Sequence, residues 1–367
     1  MNSFPRVDPI PLPAPVWLFK LLHIVTLALH FTAMEILLGA LLVAVLLNLL
    51  ARSGSGQTAA TGMARRLPIV MTYVINLGVP PLLFAQVLYG RALYTSSVLI
   101  GIWWISVIPA LMLVYWLLYR FAAGLERGRS VWWMGLIAWL ITGTIARVYT
   151  SNMTLMLRPE VWQTMYSASA LGRWLPSGDP TVLPRFLFVM ATGFMAAGVW
   201  MVYLSSRRSF SPADRCYFSR VGGWIAAGGS ALQLIAGIAV YRAQPAIVQT
   251  GLHDHVLYRI AGWGWLTLTV VILLSAGAAA LLQPVAALTS WTAAALGFVS
   301  IALETVYRDG IRDVTLLSKG FDVWQRTVVT NWSVVVLFLV LFVAGLGVVG
   351  WLISVMARAQ RVMESAI

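Results

Sequence analysis

Residues 17–50 read WLFKLLHIVTLALHFTAMEILLGALLVAVLLNLL, and this stretch decides the fold. A helix crosses a bilayer with about 20 mostly apolar residues. This run is too long for one upright crossing, which predicts tilt or an extension beyond the membrane. Further apolar segments follow at 67–90, 95–119, 131–157, 183–206, 221–241, 260–282, 285–306 and 331–356. The chain is 60% hydrophobic and 10% charged, against about 25% charged in soluble domains. The expected fold is an all-α, polytopic transmembrane bundle of nine spans. An extended Pro-rich arm (1–16) precedes a single membrane domain (17–357), and a cytoplasmic tail (358–367) follows it. The arm lacks the short apolar core and small-residue cleavage site of a signal peptide.

Punctuation within the spans is informative. Pro80 and Pro81 each remove a backbone donor and predict a kink in the second span. Pro284 and the short Leu282–Val285 link predict a tight hairpin between the seventh and eighth spans. Orientation follows from arginines in short, acid-poor loops: Arg52, Arg65 and Arg66, then Arg120, Arg127 and Arg129, then Arg207, Arg208, Arg215 and Arg220. The opposite segments hold most of the acids, so the expected topology is N-terminus out and C-terminus in. The net charge of +13 flanks apolar spans without an aromatic-basic pattern, pointing to anionic lipid headgroups and not to nucleic acid.

Several chemistries are excluded. Cys216 is the single cysteine, so the chain alone makes no disulfide and holds no iron–sulfur cluster. There is no C-x-x-C-H for covalent haem c, and no Walker or Rossmann glycine pattern for a nucleotide.

The remaining polar residues supply the candidates. His23 and His30 are seven apart on the first span, hence on one face and about 10 Å apart along the axis. His253 and His255 belong to an outer loop at 244–259. His23 paired with either loop histidine offers two imidazoles to a haem b iron. Against this, the two-histidines-per-span pattern of four-helix cytochrome b subunits is absent, and His30 has no evident second imidazole. The competing reading is an interfacial His23 and a wet loop. Gln86, Arg147 and Glu304 fall in the outer halves of their spans by topology, and Gln233 near mid-depth. With His23 they are the residue types that a quinone headgroup needs: donors to its carbonyls and a group that exchanges protons. Glu35 and Arg147 are the deepest charges. Glu35 begins a proton path, pairs with Arg147, or stays protonated.

Two aromatic outer segments, 158–185 and 308–330, form an expected platform for a periplasmic subunit. The second contains DGIRDVTLLSKGFDVWQRTVV (309–329) and predicts a short amphipathic helix on the membrane face. Small-residue pairs Gly222–Gly223 and Gly228–Gly229 and the run Gly277–Ala280 permit close helix packing, including with other membrane subunits.

The stretch NLGVPPLLFAQVLYGRALYTSSVLIG (76–101) resembles uncharacterised polytopic inner-membrane proteins found beside bacterial c-type cytochromes, as does TSNMTLMLRPEVW (150–162). The resemblance implies a multi-pass component of an electron-transfer assembly in the bacterial cytoplasmic membrane. It carries over no functional residue. The expected function is thus a respiratory-complex subunit exchanging electrons between the quinone pool and a periplasmic partner such as a multihaem c-type cytochrome. Two alternatives remain: a non-catalytic anchor, and a transporter or channel lined by Glu35 and Arg147 with a Pro80–Pro81 hinge.

Overall fold

Helices account for most of residues 11–51, 54–176, 178–282 and 287–365, the parts of the chain described by a computed structural model. Their order is α1 (Val16–Leu50), α2 (Ser55–Ala64), α3 (Leu67–Leu99), α4 (Gly101–Glu126), α5 (Trp132–Leu155), α6 (Pro159–Ala168), α7 (Val182–Ser205), α8 (Pro212–Arg242), α9 (Ala246–Asp254), α10 (Val256–Leu281), α11 (Ala287–Ser318) and α12 (Trp332–Ser365). Helices α2, α6 and α9 are short surface pieces. Among the described residues eight segments are long and apolar enough to cross a membrane. Helix α5 is the ninth long helix, with 24 residues but a more polar composition.

Contacts at the helix ends sort the connections onto two faces. On one face Leu12 N–H donates to Thr327 O at 2.8 Å and Val329 N–H to Leu12 O at 3.0 Å, docking the arm on the segment before α12. Lys319 meets Glu160 there at 3.3 Å, and Trp103 donates to Arg173 O at 2.8 Å. On the other face Asn48 reaches Gln57 at 3.3 Å and Arg65 reaches Glu126 at 2.9 Å. Helix α5 starts on this second face, where Val131 N–H donates to Asn48 at 3.0 Å. It ends beside Leu12 and Trp162 on the first. It therefore traverses the bundle, and the nine-fold alternation read from sequence is kept.

Three expectations about span limits change. The eighth span does not end at 306: α11 runs to Ser318, because Asp309, Arg312 and Asp313 are paired inside the bundle instead of marking a surface loop. The amphipathic helix expected after it is thus the last part of α11. The departure from helical geometry in α3 lies at Tyr89 (φ −124°, ψ 22°), two turns past Pro80 and Pro81. The predicted hairpin link at Pro284, most of the N-terminal arm and Arg52 lie outside the described residues.

Close backbone approach positions the centre of the bundle. A methyl added at Gly39 would overlap the Gly193 carbonyl, so α1 and α7 touch backbone to backbone one turn from Glu35. Gly222, Gly223 and Gly229 likewise leave no room for a Cβ against α7 and α10, whereas Gly228 and Gly277 face open space. Gly39→Ala should therefore cost about 1–3 kcal/mol through forced helix separation. Gly228→Ala should be neutral or stabilise by up to about 1 kcal/mol through helix propensity. Thermal unfolding of the two variants in detergent checks both signs.

On the arm face, Arg158 grips Glu160 and Asp179 together. Burial raises the Asp179 carboxyl, but hydrogen bonds from Thr181 and the Arg158 charge outweigh it and hold it below its usual value. Glu160 is also lowered, burial being outweighed by hydrogen bonds from its own backbone, Arg158 and Lys319. Lowered carboxyls stabilise the fold above their unfolded values, about pH 4, and lose that contribution as pH falls through the folded values. Protease resistance of residues 156–181 should hold from pH 8 to 5 and fall only below about pH 4. Loss already at pH 6 would contradict this assignment.

Candidate functional site

Helix α11 carries Glu304, Arg308 and Arg312 at four-residue spacing, with Asp309 and Asp313 one position on. Residues four apart share a helix face, and this seam faces Lys20, His23 and Glu35 on α1. The result is two polar layers stacked along one seam.

The layer nearer the arm is an ion cluster. Lys20 Nζ donates to Asp309, to Asp313 Oδ2 at 2.7 Å and to the Tyr89 hydroxyl at 2.8 Å. Tyr89 also lies 3.0 Å from Asp309 Oδ1 and 2.8 Å from Asp313 Oδ1. Arg312 contacts Asp309 at 3.4 Å, and Tyr258 donates to Asp313 at 3.1 Å. Two cations thus meet two carboxylates at almost no solvent exposure. Buried charges persist only when paired in this way.

The histidines are engaged elsewhere. Arg312, which can only donate, lies 2.8 Å from His23 Nε2, and His23 Nδ1 lies 3.0 Å from the Pro81 carbonyl, which can only accept. These partners fix a neutral ring with its proton on Nδ1. His30 Nδ1 meets the Val74 carbonyl at 3.1 Å. The two residues do share a face, and that face clamps α1 onto α3. His255 stacks on Tyr258 at 4.2 Å, and both His253 and His255 are exposed. In this arrangement His23 has no free nitrogen for a haem iron, and the loop histidines do not touch it. Among the described residues no group of three or more His, Cys, Asp or Glu is disposed to hold a metal ion.

The second layer lies near the middle of α1 and α11. Glu35 and Glu304 are neighbours, with Arg308 beside both. Gln233 Nε2 donates to Glu304 Oε2 at 3.1 Å and to Thr192 Oγ1 at 2.9 Å. Thr192 donates its own proton to Phe188 O at 2.9 Å, which fixes the orientation of the Gln233 amide. Both Glu35 oxygens, Glu304 Oε1, Gln233 Oε1 and Arg308 Nη1 are buried with no hydrogen-bond partner among the described residues. The Arg308 guanidinium rests on the Phe31 ring at 4.5 Å. A concentration of unmatched buried donors and acceptors departs from the ordinary rule of satisfaction.

Of the residues singled out in the sequence, Glu35, Gln233 and Glu304 converge directly, and His23 joins the adjacent cluster. Gln86 is exposed. Arg147 pairs with Ser151 on its own helix and does not reach Glu35. Sequence reading placed Tyr89 and Arg308 at outer span ends without a partner, and it missed Lys20, Asp309, Arg312 and Asp313 as members of a site. The signal was present in the four-residue charge spacing from Glu304 through 308–313, the latter read as a loop. The chain matches no protein-family model, and no curated protein is similar to it. What the fold defines is a polytopic helical membrane protein with a charged seam inside.

Proposed function

We propose that this chain is the membrane subunit of an electron-transfer complex, with the Glu35–Gln233–Glu304–Arg308 layer as its quinol site. The observation that carries this reading is the mismatch inside the layer: acceptors on three side chains stand unfilled near one unfilled guanidinium donor. A phenolic hydroxyl both donates and accepts, so it complements that set. Glu304 and Glu35 would accept its protons, Gln233 and Arg308 would orient the ring oxygens, and Phe31 supplies an apolar wall. A bound quinol would supply two electrons, and the acceptor is a redox centre on a partner, in keeping with the resemblance to proteins found beside c-type cytochromes. The arm face, with exposed Trp174 and Trp324, would receive that partner on the periplasmic side, which follows if the short arginine loops are cytoplasmic.

Organic extraction of the full-length protein, purified in mild detergent, tests this. Close to one quinone per chain is expected for the wild type and little for Glu304→Gln. No quinone in the wild type, after reconstitution with a quinone-containing lipid extract, would overturn the reading.

A further inference from the structure

Arg147 is an intramembrane charge that the polar seam does not absorb. Its guanidinium reaches Ser151 on its own helix, and no carboxylate among the described residues pairs with it. It ends an outward stripe of α5 formed by Trp133, Ile137, Leu140 and Thr144, all exposed. These positions follow one another at steps of four and three residues, so they share a helix face. Two observations decide what covers the stripe. The first is depth. Arg147 lies about 12 Å along the axis from Leu155, the arm-face end of α5, and about 22 Å from Trp132 at the other end. Between Val148 and Leu155 no residue is exposed, and Ser151, the next position on the stripe, is fully buried. Protein therefore roofs the stripe just above the arginine, which closes the snorkelling route to the headgroups. The second is the supply of acids. Those inside the bundle, Glu35, Glu304, Asp309 and Asp313, are all buried, so a second copy of this chain offers no carboxylate at that depth. A charge within the membrane normally faces a cavity or a partner.

We propose that the outward stripe of α5 docks a transmembrane helix of a different membrane subunit, and that an Asp or Glu on that helix pairs with Arg147. The Ser151 contact holds one side of the guanidinium. Its remaining donors form a fork that suits the two oxygens of a carboxylate. At Gly143, one turn from Arg147, an added Cβ would meet open space, and such a notch lets a second helix approach closely. The inference goes beyond the quinol-site reading and does not depend on it.

The test is site-specific photocrosslinking of the full-length protein in the membranes of its own host. A benzophenone amino acid replaces Leu140, and crosslinked peptides are identified by mass spectrometry. Ile108, an exposed residue of α4, is the control position. Position 140 should capture a transmembrane segment of another chain that contains Asp or Glu, and position 108 should give lipid adducts. Adding Arg147→Gln should cut the yield at 140 roughly fivefold or more, as for loss of a polar pair between helices in a bilayer. Arg147→Lys, which keeps the charge, should retain most of it. Replacing the captured helix's acid by its amide should lower the yield equally, and that reading leaves this chain unaltered. Four results overturn the inference: lipid adducts alone at 140, capture of a second copy of this chain, a captured segment without an acid, or a yield unchanged when either charge is neutralised. Quinone extraction tests the quinol site separately.

Discussion

Glu304→Gln should weaken quinol binding roughly 10- to 100-fold while leaving the protein as stable as the wild type, or more so. The carboxylate loses its role as a charged acceptor, worth about 1.5–3 kcal/mol or roughly 10- to 100-fold in affinity. Stability should move the other way. With both acids ionised the layer holds two carboxylates against one guanidinium, and Glu304 Oε1 has no partner among the described residues. An amide of the same shape removes one uncompensated charge and leaves Glu35 balanced by Arg308. Opposite signs in ligand affinity and thermal midpoint mark a group kept for function at a cost to the fold. A drop in both would mean that Glu304 is a structural partner only.

Lys20→Met should produce the largest loss of stability among the single substitutions considered. Lys20 is 4% exposed and lies between Asp309 and Asp313, which are 2% and 8% exposed. Removing it leaves two carboxylates facing each other with Arg312 as the remaining cation of the cluster. Breaking a buried pair in this way costs about 3–5 kcal/mol. Adding Asp313→Asn to Lys20→Met should recover part of that, because it restores one carboxylate to one guanidinium. Denaturation in mixed micelles provides the comparison. A loss below about 1 kcal/mol would show that the cluster is screened like a surface pair.

These two predictions separate what was legible in the sequence from what was not. The nine-fold alternation, the shared face of His23 and His30 and the polar character of Glu35, Gln233 and Glu304 could all be read from length, spacing and depth. The interior position of 308–313 could not. Five ionisable residues in ten look like the end of a span, because a charge costs too much in lipid. That reasoning fails when a distant residue supplies the counter-charge. Here Lys20, an isolated cation among apolar neighbours, is 289 positions from Asp309 in the chain. No local pattern reports such a pairing. The ring contacts of His23 were equally hidden from sequence: its two nitrogens meet the Pro81 carbonyl on α3 and Arg312 on α11. A pair between Glu35 and Arg147 was one of the alternatives that depth along the spans allowed. The half-exposed Arg147 side chain turns instead to Ser151.

The central claim is that the unmatched groups around Glu304 enclose a ligand. A cryo-electron microscopy map of the protein in lipid nanodiscs, prepared with a saturating para-quinol, tests it most directly. The account predicts planar density that touches Arg308, Gln233 and Glu304. A direct Arg308–Glu304 ion pair with the layer closed and no density between α1, α8 and α11 would contradict it.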